Sequence, residues 1–182
     1  MNERRLRIYL DDHLALMVAE VALIGRCWWN NRATPLGQFL QQLENEVRAQ
    51  KAIGRDVIHR IGGKDTVESR VKQGAAWFAE KLGRFKLNDS LLRYSDLSRV
   101  VELETLAAAA QERIALWDNL DAVARHDSRI DGISCSHFRD QSQQHLEELQ
   151  TRRRSAGGRR GGSRVGPVDE DVRQRRQRSG DL

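Results

Sequence analysis

Residues 3–30 read ERRLRIYLDDHLALMVAEVALIGRCWWN, and this stretch decides the fold class. Its apolar side chains recur at spacings of three and four residues, at Leu6, Leu10, Leu14, Met17, Val21, Ile24 and Trp28. That period places them on one face of an α-helix. A helix of this length extends for about 40 Å. The stretch therefore predicts one long amphipathic helix that needs packing partners along its whole length.

The rest of the chain repeats this helical period. A second helix is predicted from Thr34-Pro35, a good N-cap followed by a proline with no donor to lose, to Gly62-Gly63, a typical C-terminal stop. A shorter helix is predicted over residues 66–84, and two more over about 96–125 and 134–154. Apolar and polar residues do not alternate in any segment with the two-residue period of a strand, so the sequence predicts an all-α protein.

The connections between these helices predict their arrangement. Short links join the first helix to the second and the fourth to the fifth, which favours two antiparallel hairpins. The long middle connection carries the short helix, and one long crossover is typical of a ferritin-like four-helix bundle. From residue 155 onward Gly, Arg and Ser dominate without an apolar period. We therefore predict a bundle over residues 1–154 and a disordered basic tail over residues 155–182.

The positive charge of the chain is concentrated in its last residues. The 182 residues carry a net charge of +5, and residues 152–182 alone hold ten Arg and four acidic residues, a net of +6. The remainder has a net charge of −1, so only the tail favours nucleic acid. The candidate phosphate contacts are Arg152, Arg153, Arg154, Arg159, Arg160, Arg175 and Arg176. The tail lacks aromatic residues for stacking on bases, and a solubilising extension is the alternative.

The cysteine content and the apolar stretches predict a compartment. Cys27 and Cys135 are the only cysteines and form no CxxC motif. The sequence has neither the apolar run of a signal peptide nor a membrane-spanning stretch. We expect a cytoplasmic protein with reduced thiols and no membrane association. The two cysteines form a redox pair only if their helix ends meet; otherwise each is a small core residue.

Several strings resemble a known family: RIYLDDHLALMVAEVAL, TPLGQFLQQLENEV, AAWFAEKLGRFKLND, YSDLSRVVELETLA and ALWDNL. They are similar to a family of bacterial proteins, mostly actinobacterial, that are described as hypothetical and assigned a ferritin-like helical bundle. The resemblance covers about residues 5–150. It implies a fold, and it brings no established activity or site residues.

A ferritin-like fold suggests a carboxylate-bridged pair of metal ions. That chemistry uses Glu-x-x-His on two of the helices, and this chain has no Glu-x-x-His. The nearest match is His145-x-x-Glu148, in reverse order. An atypical site for iron or manganese would draw its ligands from His13, Glu20, Glu46, Glu104 and His145. The alternative is a buried polar network in which each histidine pairs with a carboxylate.

Three functions are compatible with these patterns. The missing Glu-x-x-His favours a non-catalytic helical bundle without a cofactor, a structural, stress-related or interaction module with a protein partner or a second copy of itself. The first alternative is a ferritin-like metal protein that oxidises or handles iron or manganese. The second alternative is association with nucleic acid through the tail only. The absence of a P-loop, a GxSxG or an HExxH motif argues against an enzyme of those classes.

Overall fold

A computed structural model describes residues 2–63 and 94–158. These ranges contain four α-helices and one short 3-10 turn: α1 Glu3–Asn31, α2 Pro35–Arg60, α3 Asp96–Ala124, Ser128–Ile130 and α4 Cys135–Gly158. No residue in them belongs to a strand, which confirms the all-α prediction for this part of the chain. The predicted helix over residues 66–84 and the tail from residue 159 lie outside the described residues.

The helix ends follow local signals that were readable in the sequence. The side chain of Thr34 caps α2 by accepting a hydrogen bond from the backbone N–H of Gly37, with Pro35 in the first turn. Ser95 caps α3 in the same way. Gly62, beyond the end of α2, has a φ of 75°, a left-handed conformation that favours glycine. The predicted start and stop of α2 are confirmed.

The last helix is longer than its sequence pattern predicts. It continues to Gly158, past the predicted end near Arg154. Ala156 lies in its last turn, and its side chain is buried with Leu149 in the same core. The first four residues of the stretch predicted as a tail therefore belong to α4.

Each pair of helices joined by a short link runs antiparallel. In the first pair, Gly54 of α2 lies against Leu14 of α1, where a Cβ atom on Gly54 would be 2.7 Å from the leucine side chain. In the second pair, Arg113 of α3 contacts Ser142 of α4, and Arg139 near the start of α4 pairs with Asp118.

The two hairpins meet with α1 antiparallel to α3. The Tyr9 hydroxyl near the start of α1 donates to the carbonyl of Ala115 in α3, and Arg99 at the start of α3 donates to Asn31 at the end of α1. Helices α2 and α3 consequently run in the same direction. We call the end where α1 stops and α3 starts the upper end. Residues 64–93 connect the lower end of α2 to the upper end of α3.

Apolar side chains from all four helices form two cores. The upper core contains the buried residues Ala19, Val21, Leu23, Ile24, Cys27, Leu40, Leu43, Val47, Leu103, Leu106, Ala109, Ala110, Leu149 and Ala156. The lower core contains Leu6, Leu10, Leu14, Met17, Val57, Ile58, Ile61, Leu116, Trp117, Leu120, Ile130 and Cys135. A layer of buried polar side chains lies between the two cores.

A pair of glycines tests the close approach of α1 and α2. A Cβ atom on Gly37 would lie 2.4 Å from the backbone oxygen of Asn31, whereas a Cβ atom on Gly25 would meet nothing within 4 Å. We expect Gly37→Ala to lower the free energy of unfolding by about 1–3 kcal/mol, because the backbone must move. Gly25→Ala should raise it by about 0.5–1 kcal/mol through helix propensity. Urea unfolding followed by circular dichroism measures both values. Equal effects of the two substitutions would contradict the close approach.

Candidate functional site

The polar layer between the two cores centres on one guanidinium group. Arg113 of α3 is 1% exposed and lies among side chains of the other three helices. We call these contacting residues the central network: Glu20 of α1, Glu46 and Gln50 of α2, Arg113 and Trp117 of α3, and Gln141, Ser142 and His145 of α4. Every described α-helix contributes at least one of them.

Arg113 donates to acceptors on three helices. Its Nε lies 3.1 Å from a carboxylate oxygen of Glu20. Its Nη1 lies 3.0 Å from Nδ1 of His145 and 3.2 Å from the hydroxyl of Ser142, with Gln50 Oε1 at 3.4 Å. A buried guanidinium is costly unless its donors are paired. These contacts pair Nε and Nη1 of Arg113 and place the carboxylate of Glu20 beside its charge, whereas Nη2 of Arg113 and Oε1 of Glu20 are buried without a hydrogen-bond partner among the described residues.

Gln50 joins the remaining polar groups of the network. Its side-chain oxygen accepts from the indole N–H of Trp117 at 2.8 Å, and the hydroxyl oxygen of Ser142 lies 3.2 Å from it. Its amide nitrogen donates to the side-chain oxygen of Gln141 at 2.7 Å. Gln50 is fully buried, so these bonds replace the water that its amide loses on folding.

The protonation state of His145 follows from its two neighbours. An arginine has only donors, so Nδ1 of His145 accepts from Arg113 and carries no proton. Nε2 then carries the proton and donates to a carboxylate oxygen of Glu46. Burial, reinforced by the charge of Arg113, holds the pKa of His145 below its ordinary value and keeps the ring neutral.

Glu46 is the part of the network nearest to solvent. Partial burial acts to raise its pKa, but hydrogen bonds from Gln42 and His145 outweigh burial, and the pKa lies below its ordinary value. Its side chain is 26% exposed, whereas that of Glu20 is 1% exposed. Burial raises the pKa of Glu20, and the charge of Arg113 opposes this rise. The network therefore has one carboxylate at its rim and one at its centre.

The network contains a serine, a histidine and a carboxylate, the residue types of a hydrolase triad. A triad needs a histidine nitrogen that is free to take the proton of the serine hydroxyl. Here Nδ1 of His145 is bonded to Arg113, and Nε2 faces Glu46. Ser142 is fully buried and bonds to Arg113 and to a backbone carbonyl. This arrangement does not activate the serine.

Three of the five candidate metal ligands belong to the central network: Glu20, Glu46 and His145. His13 lies elsewhere, packed edge-on against Tyr9 with ring centroids 4.4 Å apart. Glu104 was expected to face inward, but it is exposed and pairs with Arg153. The structure thus does not bring the five residues together. Within residues 2–63 and 94–158, no group of three or more His, Cys, Asp or Glu side chains is arranged to hold a metal ion.

The charge of Arg113 also disfavours a metal ion in this layer. A divalent cation bound by Glu20 and His145 would lie beside the guanidinium of Arg113. Two neighbouring positive charges repel each other strongly in a buried site. Arg113 already supplies the positive charge that a metal ion would bring. The residues present therefore do not fit a divalent cation unless Arg113 moves away.

Of the candidate nucleic-acid residues, three lie in the described part of the chain. Arg152 pairs with Glu148 and stacks on Phe39, with 4.4 Å between its guanidinium carbon and the ring centroid. Arg153 pairs with Glu104, and Arg154 donates to the hydroxyl of a threonine one turn earlier. All three side chains lie on α4, where Arg154 is exposed and the other two are partly exposed. The other candidates, Arg159, Arg160, Arg175 and Arg176, lie outside the described residues.

The two cysteines lie at opposite ends of the helices. Cys27 belongs to the upper core, 3.8 Å from the hydroxyl of Tyr94, and Cys135 belongs to the lower core. Burial raises the pKa of the Cys27 thiol to about 12, and burial also raises that of Cys135. The helix ends that carry them do not meet, since α1 ends at the upper end and α4 begins at the lower end, so the two cysteines are core residues and not a redox pair.

Arg113, the central residue of the network, is not among the site residues predicted from the sequence. Arg113 follows Ala109 and Ala110 and precedes Leu116 and Trp117, so it occupies the apolar stripe of α3. A charged residue at a core position was therefore visible in the sequence. Its partners were not, because periodicity does not determine which residues of different helices lie at the same level.

No protein-family model, curated protein or solved structure matches this chain. The similarity to actinobacterial proteins stays a prediction. Among the described helices, none is long and apolar enough to cross a membrane.

Removing Arg113 should expose the cost of an unpaired buried charge. We expect Arg113→Met to lower the free energy of unfolding by about 3–5 kcal/mol, because Glu20 loses its counter-ion. The free energy of unfolding of the double variant Glu20→Met/Arg113→Met should fall by clearly less than the sum of the two single effects. The reason is that the double variant leaves neither charge without its partner. Urea unfolding of the four proteins measures the coupling. Simple additivity would contradict an energetically coupled pair.

The exposed pair of Arg153 and Glu104 provides a matched control. Its N–O distance is 3.1 Å, the same as that of the buried pair, but its side chains are 38% and 47% exposed. We expect Arg153→Met to change the free energy of unfolding by less than about 1 kcal/mol, because water screens an exposed pair. A loss as large as that of Arg113→Met would mean that burial is not what makes the central pair important.

The lowered pKa of His145 predicts a pH-dependent stability. Below pH 6.5 the unfolded chain takes up a proton at this imidazole before the folded protein does. The contribution of His145 to the free energy of unfolding is therefore lost as the pH falls toward the folded pKa. His13 acts in the same direction, and Glu20, whose pKa is raised, acts in the opposite one. We expect the melting temperature of His145→Gln to fall less between pH 7 and pH 5 than that of the wild type.

The control for this pH series is His126→Gln, since His126 is exposed in the turn after α3. It should show the same pH dependence as the wild type. If His145→Gln also follows the wild-type curve, the network does not couple folding to the protonation of His145.

Proposed function

We propose that this protein is a non-catalytic helical bundle that acts as a structural or interaction module. The observation that carries this proposal is the position of Arg113 at the centre of the network, bonded to both Glu20 and His145. Its contact with Nδ1 of His145 occupies the lone pair that acid–base chemistry or metal binding would use. Such a layer is well suited to fix the alignment of helices and poorly suited to turn over a substrate.

The helix directions support a ferritin-like connectivity for this bundle. Two antiparallel hairpins, with α2 and α3 in the same direction and a long crossover between them, match that topology. In ferritin-like metal proteins the ligands project inward from the middle of the helices. In this chain the middle layer instead holds a guanidinium group among neutral and acidic partners.

An exposed aromatic side chain supports a role in association. Trp29 at the upper end of α1 is 61% exposed, and the guanidinium of Arg32 lies 4.5 Å from its ring centroid. Trp and Arg are the residue types that most often dominate the energy of protein–protein contacts. The partner class that fits is another protein or a second copy of this chain. Nucleic-acid association through the tail stays a prediction.

One experiment separates this proposal from the metal-binding alternative. The purified, tag-free protein is loaded aerobically with iron or manganese, passed over a size-exclusion column with light scattering, and analysed for metal. We expect no stoichiometric metal in the protein peak, because Arg113 occupies the position of a cation. The same run gives the molar mass and so reports self-association.

The variants Glu46→Ala and Glu104→Ala make the metal measurement specific. The metal-binding alternative would be correct if the wild type held one or two metal ions per chain. Glu46→Ala would then lose these ions and Glu104→Ala would retain them. Glu104 is the matched control, because it is a glutamate that lies on the surface away from the central network.

A further inference from the structure

Two polar atoms at the centre of the bundle make no hydrogen bond to the described residues. They are Nη2 of Arg113 and Oε1 of Glu20, and both are buried. The side chains that carry them are 2% and 1% exposed, so bulk water does not reach them. An unpaired donor or acceptor of a buried charged group is costly, and folded proteins pair nearly all such atoms. The two atoms are therefore candidates for contact with a small bound molecule.

Both atoms belong to one ion pair and lie near each other. Arg113 bonds Glu20 through its Nε, 3.1 Å from Oε2 of the carboxylate. Nη2 shares a carbon atom with Nε, and Oε1 shares a carbon atom with Oε2, so each lies beside one end of this bond. Arginine and a carboxylate often form two parallel bonds, and Nη2 with Oε1 would be the second of them. In this pair the first bond is formed and the second is not.

The part of α3 beside this ion pair carries small side chains. A long side chain on a helix leans toward the N-terminus, so Arg113 extends over the preceding turn. That turn carries Ala109 and Ala110, which are buried in the upper core and follow two further alanines. A methyl group takes up less space beside a guanidinium than any other side chain except hydrogen. The guanidinium therefore lies where α3 leaves the most room for a small molecule.

The charges of the pair determine which kind of molecule fits between the two atoms. Nη2 of Arg113 can only donate, and an ionised carboxylate oxygen can only accept. A bridging molecule must therefore accept one hydrogen bond and donate another. In a buried site Glu20 repels an anion and Arg113 repels a cation. A small neutral molecule that both donates and accepts is the class that remains, and water is its smallest member.

We propose that Arg113 and Glu20 form a binding site for one buried water molecule, which accepts from Nη2 and donates to Oε1. Buried waters in proteins make two to four hydrogen bonds to groups that would otherwise be unpaired, and this site supplies two. A bridge through water is nearly as favourable as a direct hydrogen bond. The contact between α1 and α3 at the centre of the bundle then consists of one direct bond and one bridge.

A crystal structure of the full-length protein, at a resolution that shows ordered water, tests this site. We expect an electron-density peak within about 3.2 Å of both Nη2 of Arg113 and Oε1 of Glu20. A direct bond between these two atoms would overturn the proposal, because the ion pair would then satisfy itself. A peak that contacts only one of the two atoms, or no peak at all, would overturn it as well.

Nuclear magnetic resonance of the wild-type protein in water gives an independent measurement that needs no crystal and no variant. We expect the guanidinium protons of Arg113 to show NOE and ROE cross-peaks with water that are opposite in sign, as for a water molecule held in place. The control is Arg153, whose pair with Glu104 has the same N–O distance but is exposed. Its cross-peaks should have the same sign in both spectra, because its water exchanges with the solvent. Cross-peaks of equal sign at Arg113, or none, would contradict the proposal.

Discussion

The position of every described helix depends on the buried guanidinium of Arg113. Its donors require acceptors at fixed directions in one plane, and these acceptors come from α1, α2 and α4. A shift of one helix by a single residue rotates its side chains by about 100° and moves them 1.5 Å along the axis. Such a shift would remove Glu20 or His145 from the guanidinium and leave a buried charge without its partner. Apolar side chains tolerate small displacements much better, because their contacts are not directional. The central network therefore selects one alignment among the many that would bury the same apolar area.

Polar contacts at the upper end reinforce this alignment where the two hairpins meet. The carboxylate of Glu102 accepts from Arg26 at 2.9 Å and from the hydroxyl of Tyr94 at 2.8 Å. Asn31 bonds both Tyr94 and Arg99. These bonds hold the end of α1 to the start of α3, the point at which the chain returns from residues 64–93. Polar contacts between the hairpins thus lie in the middle, at the upper end and, through Tyr9 and Ala115, toward the lower end.

The sequence predicted the features that depend on neighbouring residues. Thr34 and Pro35 start α2 and Gly62 follows its end, because caps and left-handed turns are determined by a few consecutive side chains. The apolar stripes predicted helices close to those observed. The apolar period does not determine the rotation of each helix about its own axis. Glu104 and Glu20 both lay close to a predicted core stripe, yet Glu104 is exposed and Glu20 is buried. A helix face about 100° wide includes positions at its edges, and only packing against a neighbour determines which of them are covered.

The candidate site depends still more strongly on packing. His145, Glu46 and Glu20 lie on three different helices, and no spacing within one helix relates them. Their role is set by what lies between them. A metal ion there would make the three side chains ligands, whereas the guanidinium makes them hydrogen-bond partners with fixed protonation. The same residues could support either chemistry. The deciding residue, Arg113, is on the remaining helix, α3. This is why the choice of polar residues near the core stripes finds three members of this layer and does not reveal what they do there. A charged residue within an apolar stripe is the more informative signal, because burying it requires partners from other helices.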